Sequence, residues 1–541
     1  MKYIDNRLNA NIIKLKDANN NYTSENVEGA LEEIDSKIND KANKININVE
    51  EFVCDDGQYV QGDGIHDDTT GIRKALLYCK NNNKKLEFSK GKIYMVSQCY
   101  LYEGIHINGN GATLKMLPNS PKATRLLTMQ YRYKYSSDID SELIVLENIK
   151  FDGNSSNQGD FTNYEKEQQF GVFLEGDSTR AGRVFCTINN CSFENFCGDG
   201  VHFYTNTVVN CSNIFVRNCF RGGVVVSGGN STFNINNYIV DSEYGNGLDI
   251  EVDVLGYGDK GIIANVSNII TNRPCDFGNL FDSGTKININ NMISPRGRVN
   301  ITVKYGTVNI SNSTINKMEV VNCTNLNISN VTFDSNYAKT ENDIILSIES
   351  VDTDSSLSRD KYNTNIANCI FNSSSGVKPI AIKSFLSNVK VKNCEFKESV
   401  NQALFAHNTP VCIFEENVLL CEKGVTEYKT STISNAKYVF KNNIYLNNNT
   451  IPFIFRSGGN DYETFIEETY YNSNHLKFNK EYSYSGAGIL FNSRKLICDL
   501  PESIDFPGLV GDIIESRTFY TDKKRYICTK SSDTSATWSS I

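Results

Sequence analysis

The chain has 541 residues, of which 39% are hydrophobic and 22% are charged. That length exceeds one ordinary compact domain, but a solenoid can grow along its axis without a wider core. The 54 basic and 63 acidic residues give a formal charge of −9, which argues against nucleic acid as a partner. The sequence has no apolar run long enough to cross a membrane and no signal-peptide core at its N-terminus. We therefore expect a soluble protein that is made in the cytoplasm, carries no signal peptide and does not insert into membranes.

The sixteen cysteines have spacings that disfavour disulfide and metal frameworks. No C-x-x-C pair occurs, and there are only five histidines. Six cysteines follow an asparagine, as if at a repeat position: Cys191, Cys211, Cys219, Cys323, Cys369 and Cys394. A free thiol in such a position behaves as a small buried hydrophobe. We predict reduced, structural cysteines, and neither a metal ion nor another cofactor.

Residues 1–50 are polar and rich in asparagine. Residues 23–34 place Val27, Leu31 and Ile34 along one stripe, which predicts a short amphipathic helix. So short a helix is marginal alone and needs a partner for its apolar stripe. We interpret the segment as an attachment or oligomerisation element, with a partly ordered tail as the alternative.

Residues 51–142 are predicted to cap the start of a coil. Asp67 and Asp68 precede a helical stretch that runs to Cys79, and either aspartate can cap that helix. Short strands broken by glycines are predicted at 86–88, 93–96, 105–107 and 112–115. A helix followed by such strands suits the covering of an end whose backbone would otherwise be unpaired.

Residues 143–447 contain a strand that returns about every two dozen residues. Four copies begin at Gly171, Gly200, Gly223 and Gly247, in steps of 29, 23 and 24 residues. Each copy alternates apolar and variable positions, as does a strand with one buried face. A repeat of this length indicates parallel strands stacked in a solenoid, with successive coils roughly 4.8 Å apart.

A second repeated position in 143–447 is an asparagine followed by a large apolar residue. Its copies are Asn148, Asn190, Asn268, Asn312, Asn330, Asn368, Asn393, Asn417 and Asn443. Asparagine tolerates the left-handed backbone conformation and can hydrogen-bond to stacked copies of itself. We therefore expect these residues to form a ladder at one corner of the coil.

Stacking also predicts which side chains share a face. If Val172, Val201, Val224 and Leu248 point inward, the intervening positions point outward in columns. One predicted column is Phe173, His202, Val225 and Asp249, and the next is Glu175, Tyr204, Ser227 and Glu251. Three carboxylates, a histidine and a tyrosine would thus lie on one exposed face, where we expect the functional site.

Residues 448–541 lose the repeat and hold the single tryptophan, Trp538. Their short apolar stretches predict a small C-terminal β domain. It can cap the coil, bind a ligand or join copies of the chain, and the sequence does not choose among these roles.

Five segments of the chain resemble those of a known family. The stretch Gly-Asp-Gly-Ile-His-Asp-Asp-Thr-Thr-Gly-Ile at 62–72, followed by Ile-Asn-Gly-Asn-Gly-Ala-Thr-Leu at 107–114, resembles the opening of the pectate-lyase-like right-handed parallel β-helix. That family includes many phage tailspikes and tail appendages. Gly-Leu-Asp-Ile-Glu at 247–251 is similar to one of its rungs, and residues 23–34 and 511–538 resemble segments near the ends of phage tail proteins.

The resemblance implies an all-β, right-handed coil of three sheets with a short N-terminal helical segment. It also implies a homotrimer that is attached to the virion tail by its N-terminus. Members commonly bind glycans on the host cell surface, and many cleave them. The paired aspartates and Gly-His-Gly set of the polygalacturonase branch are not matched here, so that particular mechanism is not expected.

Glycoside hydrolysis requires one carboxyl group as acid and another as base or nucleophile. Asp249 and Glu251 are two residues apart on one strand, about 6.8 Å between Cα atoms, which is compatible with the roughly 6.5–9.5 Å of an inverting pair. Asp253 extends the row, and we predict these three as catalytic residues. The predicted glycan-binding residues are Glu175, Asp199, His202, Tyr204 and Arg221.

Three other interpretations remain open at this stage. The acidic row can be a plain solvated face, or it can bind glycan without cleaving it, as in a receptor-binding tail protein of the same fold. A cellular polysaccharide lyase is the third, although a lyase would need a calcium-binding acidic cluster, a basic residue as catalyst and normally an export signal.

Overall fold

The computed structural model describes residues 46–130, 138–159, 164–254, 257–280, 284–303, 306–350, 362–428 and 436–446, and beyond them the backbone of short strands between 451 and 540. The helix predicted at 23–34, and almost all of the predicted segment 1–50, lie outside the described residues. Within the described residues, no helix has the length and apolarity needed to span a bilayer.

The described residues form one α-helix, α1 (Thr69–Asn82), and a long succession of strands. The first strands are β1 (Asn46–Asn48), β2 (Asp63–Asp67), β3 (Lys85–Glu87), β4 (Ile93–Val96), β5 (Cys99–Tyr100), β6 (His106–Asn108), β7 (Thr113–Met116), β8 (Arg125–Gln130), β9 (Ile144–Glu147) and β10 (Lys150–Asp152). The strands around the predicted site are β11 (Phe170–Glu175), β12 (Val184–Glu194), β13 (Asp199–Phe203), β14 (Thr207–Arg217), β15 (Gly222–Gly228), β16 (Ser231–Asp241), β17 (Asn246–Val254), β18 (Ile262–Thr271), β19 (Cys275–Leu280) and β20 (Lys286–Val303).

The later coils and the C-terminal region complete the strand order. The later coils contain β21 (Thr307–Ser311), β22 (Thr314–Val321), β23 (Asn325–Ser329), β24 (Thr332–Ser335), β25 (Ile344–Glu349), β26 (Asn363–Ala367), β27 (Ile370–Ser373), β28 (Ile380–Phe385), β29 (Asn388–Lys392), β30 (Glu395–Phe396), β31 (Gln402–His407), β32 (Val411–Glu415), β33 (Val418–Leu419), β34 (Lys423–Tyr428), β35 (Ala436–Lys441) and β36 (Ile444–Tyr445). The last strands are β37 (Ile451–Phe455), β38 (Tyr462–Glu467), β39 (Thr469–Tyr470), β40 (Asn479–Lys480), β41 (Gly488–Phe491), β42 (Lys495–Cys498), β43 (Ile513–Ser516), β44 (Arg525–Lys530) and β45 (Thr537–Ser540).

Each strand of the coil pairs in parallel with the equivalent strand one coil away. Three series result, which begin β1–β3–β6–β9, β2–β4–β7–β10 and β5–β8–β11–β13. Long strands such as β12 turn a corner and pair with both β9 and β10. The predicted all-β, right-handed parallel β-helix is confirmed.

Parallel pairing extends past both predicted ends of the coil at 143 and 447. It begins with β1 against β3 and still joins β38 to β41. The asparagine repeat, from which the boundaries were predicted, is thus shorter than the coil that contains it. The small C-terminal β domain is a separate sheet of β39 and β42–β45, in which β43, β44 and β45 pair antiparallel.

The interior of the coil is filled by inward side chains that stack on their equivalents. The four predicted inward residues Val172, Val201, Val224 and Leu248 are at most 1% exposed. Phenylalanines stack in the same way, with 4.8 Å between the ring centroids of Phe151 and Phe193. All fourteen described cysteines are unpaired and buried, as predicted for structural thiols.

The repeated glycines are explained by close approach between coils. A Cβ atom on Gly200 would lie 2.7 Å from the carbonyl oxygen of Gly223, and one on Gly223 would lie 2.7 Å from that of Gly247. Any larger residue would force the stacked strands apart. The glycine repeat in the sequence therefore marks the positions at which the backbones of neighbouring coils are too close together to admit a side chain.

The predicted asparagine ladder forms the corner between the first two sheets. Its members adopt positive φ angles, for example 59° at Asn148 and 52° at Asn190. The amide of Asn190 donates to the Asn148 side-chain oxygen at 2.7 Å. Such bonds satisfy polar groups at a corner where the backbone ladder is interrupted.

Two members of the predicted ladder are placed differently. The corner residues of the last coils are Glu416 and Asn442, with φ of 58° and 56°, so the asparagine predictions at 417 and 443 were wrong by one position. Asn417 and Asn443 instead point inward and are at most 1% exposed. There the Asn417 amide donates to the Asn443 side-chain oxygen at 2.9 Å, and each amide also donates to a backbone carbonyl.

The helix α1 caps the start of the coil, and an ionic cluster fastens the loop before it. Asp68 is the N-cap residue, but its carboxylate accepts from the backbone N–H groups of Gln61 and Gly62 rather than from the helix. His66 bridges Asp68 and Asp56, with 2.8 Å from each ring nitrogen to a carboxylate oxygen. These hydrogen bonds raise the pKa of His66. Cys54 adds a third donor close enough to hold a metal ion together with His66 and Asp68, but both histidine nitrogens are already engaged.

Candidate functional site

The third sheet aligns the predicted column as expected. His202 on β13, Val225 on β15 and Asp249 on β17 are register partners in successive coils. The same register continues to Asp276 on β19, which the sequence analysis missed. The copy around Asp276 begins with proline instead of the repeated glycine, and so it does not show the motif. The sequence does contain a signal that could have identified Asp276. Cys275-Asp276-Phe277 repeats the apolar-Asp-apolar alternation of Leu248-Asp249-Ile250 one coil later.

The face was predicted to be exposed along its length, and this is wrong for the column of Phe173, His202 and Val225 on β11, β13 and β15. Phe173 and His202 are each 5% exposed, and Val225 is fully buried. The Arg125 guanidinium lies 3.5 Å from the centroid of the Phe173 ring, and the Phe170 ring packs 5.0 Å from His202. This cluster covers the column of Phe173, His202 and Val225, which first becomes accessible at Asp249 on β17, whereas Glu175 and Tyr204 in the neighbouring column are half-buried.

Asp249 and Glu251 are the half-buried carboxyl groups at the point where the face opens. The side-chain amide of Asn246 donates to Asp249 at 3.2 Å. Burial is the main cause that raises the pKa of Asp249 to about 7, and the negative charge of Glu251 adds to it. Burial also raises the pKa of Glu251, helped by Asp253, while Arg221 and His202 oppose the shift. One carboxyl group therefore holds a proton near neutral pH beside another that interacts with it.

Asp253 and Asp276 extend this row on either side. Asp253 is exposed at the end of β17, and Asp276 is half-buried one coil further on. Among the described residues, neither carboxylate makes a hydrogen bond or an ion pair.

Arg221 is the cation behind the row. Its Nε lies 3.9 Å from Oδ1 of Asp199, which is completely buried. Burial alone would lower the pKa of Arg221, but the charges of Asp199, Glu167, Glu251 and Asp249 outweigh it and raise the pKa. The guanidinium thus balances the charge of the protein's own carboxylates, and its predicted contact with a glycan stays a prediction.

Asp199 and His202 form a buried hydrogen-bonded unit with Ser227. His202 Nδ1 is 2.9 Å from Asp199 Oδ2, and His202 Nε2 is 2.6 Å from Ser227 Oγ. Because Asp199 and Ser227 have no exposed surface, this unit lies behind the row and not on it. Asp199 and His202 are therefore not positioned to contact a glycan directly, contrary to the prediction.

The structure separates the remaining predicted residues from the row. Glu175 ends β11, three coils before Glu251, and is half-buried. The Tyr204 ring is half-buried with its centroid 6.4 Å from that of His202, at the edge of the aromatic cluster. Of the eight predicted site residues, Asp249, Glu251 and Asp253 thus form the row, Arg221, Asp199 and His202 lie behind it, Tyr204 is beside His202, and Glu175 lies three coils away.

Comparisons with known proteins identify similar folds only. No protein-family model matches the sequence, and no curated protein matches it. A tailspike protein of Escherichia coli bacteriophage HK620, solved with a pentasaccharide, is 10% identical with a TM-score of 0.37, over 91% of this chain and 80% of its own. The A-module of the Azotobacter vinelandii mannuronan C-5 epimerase AlgE6 is 13% identical with a TM-score of 0.34, over 84% and 100%. The Agl-KA catalytic domain is 14% identical with a TM-score of 0.35, over 77% and 68%.

Proposed function

We propose that this protein is a phage tail appendage that binds and hydrolyses a polysaccharide on the host cell surface. The observation that carries the proposal is the pair Asp249 and Glu251, placed where the outer face of the third sheet opens. A carboxyl group with a pKa of about 7 next to a second carboxyl group is the arrangement that an acid–base glycosidase needs. The sequence resemblance to tail appendages supports the attachment of a homotrimer to the virion through its N-terminal segment.

Asp249 acts as the general acid in this proposal. Its proton is retained near neutral pH because burial and neighbouring carboxylates disfavour the charged form. It protonates the glycosidic oxygen, and the bond from that oxygen to the sugar breaks.

Glu251 acts as the general base. The position two residues along the strand, about 6.8 Å away by Cα, leaves room for a water molecule between the sugar and the carboxylate. Glu251 removes a proton from that water as it attacks the anomeric carbon, and the configuration at that carbon inverts. In this proposal Asp253, which was predicted as a third catalytic residue, and Asp276 accept hydrogen bonds from sugar hydroxyl groups on either side.

The test measures new reducing ends released from surface polysaccharides of candidate host cells. Wild type is compared with D249N/E251Q and with D241N/E243Q, which makes the same pair of changes at exposed positions outside the row. We expect release by wild type and by D241N/E243Q, and a loss of at least about a hundredfold in D249N/E251Q, the scale of general acid–base catalysis. Equal release by all three proteins would overturn the assignment.

Two other outcomes would point to the other candidate functions. Saturable binding of the polysaccharide without release by wild type would indicate a receptor-binding tail protein. Products with an unsaturated sugar at the new end would indicate a lyase.

A further inference from the structure

Three side chains that can bind a metal ion meet at the start of the coil, several coils before the acidic row. Cys54 precedes β2, His66 lies on β2, and Asp68 is the N-cap residue of α1. The thiol sulfur, an imidazole nitrogen and a carboxylate oxygen of these residues all lie within 4.8 Å of one another. The described residues contain no other group of three such donors at this spacing, so the cap holds the candidate metal site.

The cluster is buried but open on one side. Cys54 is 4% exposed, and Asp68 is completely buried. The His66 side chain is 11% exposed, and that of Asp56 beyond it is 46% exposed, so the imidazole is the side that faces water. An ion can therefore arrive from solvent at donors that the fold already holds together.

The hydrogen bonds of His66 suit a metal ligand, although they engage both ring nitrogens. Nε2 lies 2.8 Å from Asp56 Oδ2, and Nδ1 lies 2.8 Å from Asp68 Oδ1. A histidine that binds a metal through one nitrogen commonly donates its other N–H to a carboxylate, which fixes the tautomer and the ring orientation. Asp56 makes that outer contact. Nδ1 can consequently bind an ion in place of its proton while the hydrogen bond to Asp56 stays.

The other two donors are also held by contacts outside the cluster. The Asp68 carboxylate accepts from the backbone N–H groups of Gln61 at 2.8 Å and Gly62 at 3.1 Å. The Cys54 sulfur packs against Gly71 in the first turn of α1, where an added Cβ atom would lie 2.8 Å from it. Burial raises the pKa of the Cys54 thiol, and a hydrogen bond from the backbone N–H of Gly71 opposes the shift. All three donors are therefore oriented before an ion binds.

The chemistry of the donors selects the class of ion. A thiolate and an imidazole are ligands of zinc and similar transition metals, whereas calcium and magnesium take oxygen ligands. One thiolate and one carboxylate also balance the charge of a divalent ion, so the ion and its ligands are neutral together. That balance matters here because an uncompensated charge at this depth would be unfavourable.

We propose that Cys54 Sγ, His66 Nδ1 and a carboxylate oxygen of Asp68 bind one Zn²⁺ ion, with a water molecule as the fourth ligand. Binding displaces the proton of Nδ1 and the thiol proton of Cys54, and both pass to water. The ion joins the segment before β2 to β2 and to the start of α1, and so it fastens the cap of the coil. This structural site is independent of the proposed glycosidase activity, so either can fail without the other.

The test measures the binding of zinc chloride by calorimetry to full-length protein that a chelator has freed of metal. C54S and H66Q each remove one ligand. C79S and H106Q are the matched controls, because Cys79 is another buried cysteine of the cap and His106 is another histidine bonded to a carboxylate. We expect about one ion per chain in wild type and both controls, and affinities at least about a hundredfold weaker in C54S and H66Q.

Cobalt chloride provides a second measurement that reports on the sulfur ligand. Co²⁺ bound to a thiolate gives an ultraviolet sulfur-to-metal charge-transfer band, which should appear in wild type and C79S and be absent in C54S. Zinc should also raise the melting temperature of wild type and C79S but not that of C54S.

Three results would overturn the site. They are no zinc binding by wild type, equal affinity in wild type, C54S and H66Q, and cobalt binding by wild type without the charge-transfer band. If C54S or H66Q fails to fold without metal, as judged by its thermal melt, the other variant and the cobalt spectrum of wild type decide.

Discussion

Replacing Asp249 by asparagine should stabilise the folded protein, and increasingly so as the pH rises. The pKa of Asp249 is about 7 in the folded protein, whereas an unfolded aspartate has a pKa of about 3.9. Between these values the folded state keeps a proton that the unfolded state has lost, so the stability of wild type falls as pH rises. Three pH units at 1.36 kcal/mol each correspond to about 4 kcal/mol.

Asparagine occupies nearly the same volume and carries no charge, so D249N escapes this penalty. Since the group is only half-buried, we expect D249N to be more stable than wild type by about 2–4 kcal/mol at about pH 8, and by less than half of that at about pH 5. The assay is guanidinium chloride denaturation of both proteins at steps across that range. D253N, at the exposed carboxylate of the same strand, should stay within about 0.5 kcal/mol of wild type. A pH-independent difference for D249N would refute the reasoning, because it would mean that the carboxyl group is ionised normally.

Two further predictions concern the architecture. The hydrogen bonds to Asp68 and Asp56 raise the pKa of His66 in the folded protein. The stability that they contribute is therefore fully present below the pKa of an unfolded histidine and is lost as the pH rises through the pKa of His66 in the folded protein. H66Q should therefore be less stable than wild type at about pH 6, and its stability should approach that of wild type at higher pH. Denaturation curves of both proteins at the two pH values measure this. A stability difference that does not change with pH would contradict the prediction. G200A should lower the free energy of unfolding by about 1–3 kcal/mol, because its Cβ atom would lie 2.7 Å from the carbonyl oxygen of Gly223 in the next coil. A Cβ atom on Gly278 would have no atom within 4 Å, so G278A is the control. Equal denaturation midpoints for G200A and G278A would contradict the packing argument.

Periodic features of the sequence predicted most of the fold. The glycine line at 171, 200, 223 and 247 marks contacts between adjacent backbones, and so it appears in the sequence at the spacing of the coil itself. The corner asparagines appear for a similar reason, since a left-handed residue recurs once per turn. Where the pattern ended, prediction failed: Asn417 and Asn443 were read in the wrong register, and the coil continues to β41 after the asparagines stop.

The candidate site was predicted less completely. The outward column of Phe173, His202, Val225 and Asp249 was correct, because alternation along a strand and register between coils determine which residues are neighbours. The exposure of those columns was wrong for His202 and Phe173, because it depends on Arg125 and Phe170, which precede them by many residues in the chain. Asp276 was missed because its coil lacks the glycine that marks the others.

The sequence by itself determined the parallel coil, its inward positions and the outward column that holds Asp249, two residues from Glu251 on the same strand, since all of these follow from a local repeat. Only the tertiary structure decided where that column meets solvent, which carboxyl group keeps its proton and that Arg221 is neutralised by Asp199. The physical reason is that burial and charge depend on every group within a few ångströms, and in a coil those groups come from turns that lie two dozen or more residues apart.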